Sequence, residues 1–361
     1  MSNFFTDNGP CRRAIGIIFA AMGLALASSP ASADLFTGTL FFTHFAGGGD
    51  NVLSTTFSYD SGTGIVAYGP QNGVASVNGA DGIIFAPNGN LIVTSNSTGN
   101  VYRIDASTGN LLQTVLTGTP GLPDFHMALD PNNTQFYSSN RYNRTVGPLD
   151  TFAIGAGGSF SNATTTPILN SATGAGSNVT QLAFAPNGRV LYTNGVPNSN
   201  GSIGLFTFGA NDTTTELIAA NQVPAAHGII YDPFTGLMTM FGGGQVATID
   251  PTPATNAGII ASLRQFDVPG VGDFDQGAVD GLGHAFIAGS GAITFIDYSL
   301  TGDITNPTNI IRITSGFGNI DDIAPLVGPG APPPSVPEPS SLFLLGAAIV
   351  GLLSYRRRHG H

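Results

Sequence analysis

Residues 81–89 read Asp-Gly-Ile-Ile-Phe-Ala-Pro-Asn-Gly: a polar residue, a short apolar run and a tight turn. A run of this length that ends in Pro-Asn-Gly is typical of a buried strand followed by a hairpin. The phrase recurs, with variations, at residues 126–132, 181–188, 227–236, 276–283 and, more weakly, 322–325. Successive turns are 44 to 55 residues apart, so the sequence predicts one structural unit per repeat.

Each copy of the phrase has a similar sequel. A second apolar run follows the turn, as at residues 91–94, a third often ends in aspartate, as at 101–105, and a fourth follows, as at 111–116. Four strands in a repeat of about 40–50 residues predict the blade of a β-propeller. The alternative fold is a β-sandwich or a β-helix with Asn-Gly turns.

The region between the two termini, residues 34–335, is called the body here. Its two ends each contain part of a blade, and together they make one complete blade. Residues 35–69 contain three strand-like runs without the phrase in front of them, and residues 320–327 contain the strand of the phrase with no blade after it. Joined as one blade, they close the ring and leave no open sheet edge. We therefore predict that residues 34–327 form an all-β, six-bladed β-propeller closed by pairing of the N- and C-terminal strands.

The charge of the body excludes one class of partner. Between residues 34 and 335, nineteen aspartates and one glutamate stand against six arginines and no lysine, for a net charge of −14. Such a body is repelled by nucleic acid and by anionic membrane surfaces. The single cysteine, Cys11, lies outside the body, so disulfides do not stabilise it.

The N-terminus carries an export signal. Arg12 and Arg13 precede an apolar run at residues 14–27, and a small-x-small site ends at Ala33. These features predict a signal helix at residues 1–33 that signal peptidase removes, so the segment takes no part in the fold.

The C-terminus has three parts, and a spacer precedes them. Residues 328–335, Gly-Pro-Gly-Ala-Pro-Pro-Pro-Ser, predict a stiff, extended linker. The parts that follow are Val336-Pro337-Glu338-Pro339, an apolar run at residues 342–353, and Arg356-Arg357-Arg358. A helix over residues 340–355 would be about 24 Å long, slightly short of a full membrane span. The arginines are expected to stay on the cytoplasmic side.

Residues 336–361 resemble the PEP-CTERM sorting signal, which has the same three parts in the same order. The resemblance implies an exosortase as processing partner, in a Gram-negative bacterium that makes exopolysaccharide. It also implies export across the inner membrane, transient anchoring by the C-terminal hydrophobic helix, and a final place at the cell surface or outside the cell. The alternative is an ordinary C-terminal tail anchor.

The repeats resemble the NHL and streptogramin lyase/gluconolactonase-like propellers. The resemblance rests on residues 227–233, His-Gly-Ile-Ile-Tyr-Asp-Pro, and on residues 81–89. It implies that the first strand of each repeat lines a central channel. In the lyase-like enzymes a metal and a histidine act on a lactone, and His227, then His126, would be the general base here. The chain departs from the dense set of ligands of gluconolactonase-like sites, and Glu216 falls in an outer-strand region.

Every repeat places a polar side chain where its first strand begins. These residues are Asp81, His126, Gln181, His227, Asp275, Gln276, Asp321 and Asp322. Imidazole and carboxylate groups on one ring form a candidate site for Ca²⁺, Mg²⁺ or another divalent ion, with Asp81, Asp275, Asp321 and Asp322 as the carboxylate ligands. The alternative is that the mouth of any propeller is wet, so that polar residues there form a ring by symmetry alone. His44 and His284 are predicted to be packed or surface residues.

Two functions follow. The leading prediction is an exported binding or structural module at the cell envelope or in the extracellular matrix, with exopolysaccharide or an envelope protein as its partner. The alternative is a metal-dependent lyase or lactone hydrolase that uses the ring around His126 and His227.

Overall fold

The computed structural model describes residues 35–45, 49–117, 125–139, 147–196, 199–289, 291–327 and 331. The predicted signal peptide, the C-terminal segment 336–361 and all of the linker except Ala331 lie outside the described residues. Within the described ranges, no helix is both long enough and apolar enough to cross a membrane.

Six sheets make up the described structure, and they are the six predicted blades. Strands in the first two blades are β1 (Leu35–His44), β2 (Val52–Asp60), β3 (Ile65–Tyr68), β4 (Asn72–Ala75), β5 (Ala80–Phe85), β6 (Leu91–Ser95), β7 (Asn100–Ile104) and β8 (Leu111–Leu116). The third and fourth contain β9 (Met127–Leu129), β10 (Gln135–Ser139), β11 (Leu149–Ala153), β12 (Thr164–Thr166), β13 (Ile168–Asn170), β14 (Gln181–Phe184), β15 (Val190–Val196), β16 (Ser199–Thr207) and β17 (Asp212–Val223). The fifth and sixth contain β18 (Gly228–Asp232), β19 (Leu237–Gly242), β20 (Gln245–Ile249), β21 (Arg264–Asp267), β22 (Gly277–Val279), β23 (His284–Gly289), β24 (Ala292–Asp297) and β25 (Ile310–Ser315), and the chain's last strand, β26 (Ile320–Ile323), joins the first blade.

The inner strands surround a central channel. They contact one another in the cyclic order β26, β5, β9, β14, β18, β22 and back to β26. All six run in the same direction, so the channel has a strand-start mouth, where Asp81, His126 and His227 lie, and a strand-end mouth, at the turns that contain Pro131, Pro233 and Pro325. This arrangement confirms the all-β, six-bladed propeller.

The core lies between neighbouring blades. One cluster joins Ile84 of the second blade to Met127, Phe136 and Phe152 of the third. The rings of Phe136 and Phe152 stack 4.5 Å apart, and neither side chain is exposed. Burying one such aromatic side chain stabilises the fold by about 1.5–3 kcal/mol. Alternate apolar side chains of each strand therefore pack against the neighbouring blades and hold the ring together.

The Pro-Asn-Gly turns need a residue that tolerates positive φ. Gly89 and Gly188 have φ of 81° and 84°, and each amide donates to the carbonyl three residues earlier. In the third blade Asn133 takes this conformation, with φ of 62°. Asparagine is one of the few residues with a side chain that adopt it readily. Local backbone sterics thus explain why the phrase ends in glycine or asparagine.

The ring is closed by strands from both ends of the body. Strand β26 pairs antiparallel with β1, with Phe42 opposite Ile323 and His44 opposite Ile320. Phe42 and Ile323 are fully buried, and the ring of Phe42 meets that of Phe317 edge-on at 5.8 Å. The predicted closure is confirmed.

Three elements were not anticipated. Strand β4 pairs with β2 as a fifth strand, because buried Asn51 accepts a hydrogen bond of 2.7 Å from the Val77 amide and holds this segment in place. Strand β13 runs parallel to β17 of the fourth blade. A short helix, α1 (Asn256–Ala261), replaces part of a loop, and the Thr255 hydroxyl caps it by accepting from the Gly258 amide at 3.1 Å.

The described residues fall into two compact units. The larger lies within Thr37–Ser58 and Val66–Ser335 and contains the channel and the core clusters. The smaller includes residues 35–36 and 59–65. Within it, the rings of Phe36 and Tyr59 stack 6.2 Å apart, and the Asp60 carboxylate accepts a hydrogen bond from the Gly62 amide at 2.9 Å.

Truncating the closing pair should destabilise the whole ring. We expect Phe42→Ala to lower the free energy of unfolding by about 3–5 kcal/mol, because it leaves a cavity between β1 and β26. The matched control is Ile313→Ala on outer strand β25, where the side chain is 42% exposed and the change should cost about 0.5 kcal/mol. Urea unfolding followed by circular dichroism measures both, and equal losses would contradict the importance of the closure.

Candidate functional site

Hydroxyl groups position the start of four inner strands. Each belongs to the second strand of one blade and donates to a carbonyl at the start of the next blade's inner strand. The four hydrogen bonds run from Thr43 to Asp81, Thr94 to Phe125, Ser139 to Thr180 and Thr193 to His227, each 2.6 Å long. Because a β-branched or small hydroxyl side chain is short and stiff, these contacts set the spacing of the inner strands at the strand-start mouth.

Two histidines and two aspartates form a continuous line across this mouth. His126 Nδ1 lies 3.0 Å from Asp322 Oδ2, and His126 Nε2 lies 3.0 Å from His227 Nε2. On the far side, His227 Nδ1 lies 3.0 Å from Asp275 Oδ1. The two rings meet edge-on at 4.7 Å. Four residues from four different blades therefore meet side by side.

Asp81 and Asp321 flank this line. Potential ligand atoms lie within 4.8 Å of one another in a first group, formed by Asp81, His126 and Asp322. The same holds for a second group, formed by Asp275, Asp321 and Asp322. A third such group joins His126, His227 and Asp275. We call Asp81, His126, His227, Asp275, Asp321 and Asp322 the channel cluster. Apart from the Asp275 side chain, which is 18% exposed, its members are buried.

Burial of so many carboxylates changes their protonation. Burial, and then the charge of Asp322, raises the pKa of Asp81 to about 8. Burial also raises the pKa of Asp322 above its usual range, and that of Asp321 well above it. For Asp275 burial is again the largest single effect, but the imidazoles of His227 and His126 and a hydrogen bond with Asp321 together outweigh it, so the pKa is lowered. Asp275 is thus the ionised carboxylate of the cluster, and Asp81 holds a proton at neutral pH.

The histidines share their protons in a defined order. Burial opposes the charging of His126, but nearby carboxylates, with Asp322 foremost, raise its pKa to about 10. A protonated His126 donates from Nδ1 to Asp322 and from Nε2 to His227 Nε2. His227 must then carry its own proton on Nδ1, which faces Asp275. This order leaves His227 Nε2 as the proton acceptor of the pair.

The structure separates the predicted ring into two groups. The six residues proposed from the sequence as metal ligands or catalytic histidines all belong to the channel cluster. Gln181 does not, because its amide spans two neighbouring strands: Oε1 accepts from the Ile229 amide at 2.7 Å, and Nε2 donates to the Met127 carbonyl at 3.3 Å. Gln276 lines the channel instead.

The remaining candidates lie away from the cluster. Glu216 is on strand β17, toward the outside of the fourth blade. His284 is buried and contacts Asp280, with Nδ1 2.6 Å from Oδ2. His44 is half-buried at the end of β1. Both histidines are packed, as the sequence predicted.

Sequence reasoning missed two residues that support the cluster. Asn96 donates from Nδ2 to Asp81 Oδ2 at 3.0 Å. Thr43 binds the Asp81 carbonyl and accepts from the Asp322 amide at 3.2 Å, so it holds two blades together. Both lie at or just beyond the end of the second strand of a blade, where the chain returns to the strand-start mouth. A polar residue at that place in the repeat was the sequence signal that could have identified them.

Comparison with solved structures defines the class of fold. The chain is similar to a chain of the nidogen/laminin complex, with 11% identity, a TM-score of 0.53, and 80% of this chain and 97% of the other covered. It is equally similar to the periplasmic gluconolactonase PpgL of Pseudomonas aeruginosa, with 15% identity, a TM-score of 0.53, and coverage of 80% and 98%. A streptogramin B lyase gives 12% identity, a TM-score of 0.47, and coverage of 82% and 93%. The first two comparisons confirm the predicted likeness to gluconolactonase-like propellers at the level of fold.

The family comparison concerns the C-terminus. Residues 335–358 match the PEP-CTERM protein-sorting motif. The match contains all the residues named for the motif, namely Val336, Pro337, Glu338, Pro339, Arg356, Arg357 and Arg358. It confirms the predicted sorting signal, which implies exosortase-dependent export and sorting to the surface. None of the curated proteins matches the chain.

The raised pKa of Asp81 predicts a pH dependence. From about pH 4 to about pH 8 the folded state keeps the Asp81 proton that the unfolded chain releases, so stability falls as the pH rises through this window. We expect Asp81→Asn to remove this pH-dependent loss of stability. In EDTA it should gain on the order of a few kcal/mol relative to wild type between pH 4 and pH 9.

Urea unfolding at pH 4, 6.5 and 9 measures the effect. The control is Asp105→Asn, because Asp105 is only half-buried and its pKa is lowered rather than raised, by the Ser107 hydroxyl. Parallel pH profiles for wild type and Asp81→Asn would contradict the assignment.

Proposed function

We propose that the protein is an exported six-bladed propeller that binds a divalent cation at the channel cluster and acts as a binding module of the cell envelope. The observation that carries this proposal is the convergence of five buried titratable side chains and the partly exposed Asp275, from five blades, into three overlapping groups whose ligand atoms lie within 4.8 Å of one another. A ring of polar residues that arose from symmetry alone would have no reason to be buried or to converge.

The donor set fits a cation. Imidazole nitrogen suits transition metals such as Mn²⁺ and Zn²⁺, and carboxylate oxygen suits Ca²⁺, Mg²⁺ and Mn²⁺. His126 Nε2 and His227 Nε2 face each other 3.0 Å apart, so the two imidazoles would both offer a lone pair to one ion once His126 gives up its proton. His126, His227 and Asp275 would form one half of the site, and Asp321 and Asp322 the other.

Orphaned oxygen atoms support the same conclusion. Asp321 Oδ2 and Asp322 Oδ1 are enclosed and have no hydrogen-bond partner among the described residues. Leaving such an atom unsatisfied costs about 1–3 kcal/mol, and more when it is charged. A cation would satisfy both oxygens and would allow the four carboxylates to ionise together.

The ends of the chain supply the location. Signal peptidase would remove residues 1–33, and exosortase would process the tail at Pro337-Glu338-Pro339 after transient anchoring of residues 336–361 in the membrane. The acidic body, with no lysine, would then meet neutral or cationic partners more readily than anionic ones. An exopolysaccharide or an envelope protein is the proposed partner, and the cation would mediate its contact with the channel mouth.

Cation binding should stabilise the fold. An ion present at 100 times its dissociation constant raises the free energy of unfolding by about 2.7 kcal/mol. We expect EDTA-treated protein to melt at a higher temperature after addition of Mn²⁺, Ca²⁺ or Mg²⁺, and the His126→Ala/His227→Ala double variant to lose this increase. Differential scanning calorimetry measures both.

The matched control is His284→Gln. This histidine is also buried and paired with an aspartate, but it lies outside the cluster. The variant should melt at a lower temperature than wild type and still show the full cation-dependent increase. An increase that survives in the double variant, or none at millimolar cation, would refute a site at the cluster.

A second function is favoured by the histidine pair. The hydrogen bond from His126 leaves His227 Nε2 as the proton acceptor of the pair, whereas His126, with a pKa raised to about 10, is a proton donor at neutral pH. In this second function the carboxylates of Asp275, Asp321 and Asp322 alone would hold the metal, which would polarise a carbonyl group. His227 could then take a proton from water as it attacks a lactone carbonyl; the ring C–O bond breaks, and the proton passes to the leaving alkoxide.

This hydrolase hypothesis predicts a specific loss. With Mn²⁺ present, wild type should hydrolyse δ-gluconolactone faster than the solution reaction, and His227→Gln should lower kcat by about 10²–10⁴-fold. A pH-stat assay measures the rate, with His284→Gln again as the control. If cation binding is observed but every variant hydrolyses at the background rate, the binding module stands and the hydrolase is excluded for this substrate.

A further inference from the structure

A cavity of about 360 Å³ occupies the central channel. It extends from Gln181 and Gln276, at the level of the strand starts, to the turns at the strand-end mouth. Strands β5, β9, β14 and β18 provide most of its wall, including Ile84, Met127 and Ile229. It is therefore a separate space from the channel cluster, whose residues do not line it.

The wall of this cavity is apolar and incompletely covered. Leu129, Phe184 and Ile230 line it and are only half-buried in the described structure. Covering apolar surface stabilises a complex by about 25 cal/mol per Å². The volume is within the range of about 300–1,000 Å³ that small-molecule pockets occupy. The space thus fits a compact apolar body.

One polar side chain in the wall of this apolar space has an oxygen without a partner among the described residues. Gln276 is 3% exposed, lines the cavity, and its Oε1 is enclosed with no hydrogen-bond partner among the described residues. Gln181, the other amide of the wall, uses both its oxygen and its nitrogen in bonds to neighbouring strands. The Gln181 amide therefore has a structural role, whereas the Gln276 amide still has a hydrogen-bonding group to offer a ligand.

We propose that the channel cavity binds a small uncharged amphiphile: an apolar body of about the size of a naphthalene ring system or larger, with one hydroxyl or amide group that pairs with the Gln276 amide. A hydroxyl or amide both donates and accepts, so it matches either orientation of that amide. None of the described residues that line the cavity is charged, which argues for an uncharged ligand in this space. The proposal does not depend on a cation at the channel cluster.

The test compares 1-naphthol with 1-methylnaphthalene, which has the same shape without the hydroxyl group. Binding to EDTA-treated full-length protein is followed by naphthyl fluorescence, which is free of indole background because the chain contains no tryptophan. Both probes should bind saturably with one site. Gln276→Leu should weaken 1-naphthol by about 5–30-fold and leave 1-methylnaphthalene unchanged or tighter.

A second variant tests the location. Ala128 is half-buried and lines the cavity, so Ala128→Phe should fill part of it and weaken both probes at least about tenfold, with a cooperative unfolding transition retained as the check on folding. Unsaturable binding, equal affinities of wild type and Gln276→Leu for 1-naphthol, or full binding by Ala128→Phe would overturn the proposal. Because EDTA is present throughout, none of these outcomes bears on the cation site.

Discussion

The pairing of β1 with β26 is the constraint on which the rest of the molecule depends. A propeller has no stable open form of the same shape, since each blade buries its apolar face against the next. The contact between Phe42 and Ile323 joins residues from opposite ends of the body. It also brings Asp321 and Asp322 to the same mouth as His126 and His227. The strand pairing that closes the ring therefore also assembles the channel cluster.

The channel cluster concentrates charge that the fold must hold in place. A carboxylate taken out of water is costly unless it is protonated, paired or bound to a cation. Here one imidazolium, between Asp322 and His227, partly offsets the buried carboxylates, and the proton on Asp81, whose pKa is raised to about 8, offsets more. The short hydroxyl contacts from Thr43 and Thr193 keep the strand starts from moving apart under this repulsion. The geometry of the cluster is thus set in part by hydroxyl contacts to the strand backbones.

Sequence periodicity predicts this fold well and the site in part. The Pro-Asn-Gly phrase marks each inner strand because the turn conformation demands glycine or asparagine, and counting the phrase yields six blades. The same phrase locates His126 and His227 at one mouth. It does not show that Gln181 spans two strands while Gln276 remains unpaired, because that depends on side-chain contacts between blades. Strand β13 also escapes prediction, since its parallel pairing with β17 has no local sequence signal.

The direction of the inner strands gives the molecule two unlike faces. The chain leaves its last strand beyond Ile323 and passes Pro325 and Val327 at the strand-end mouth. The channel cluster lies at the other mouth. The two ends of one channel thus differ in chemistry: buried carboxylates and imidazoles lie at one, and apolar side chains and proline turns at the other.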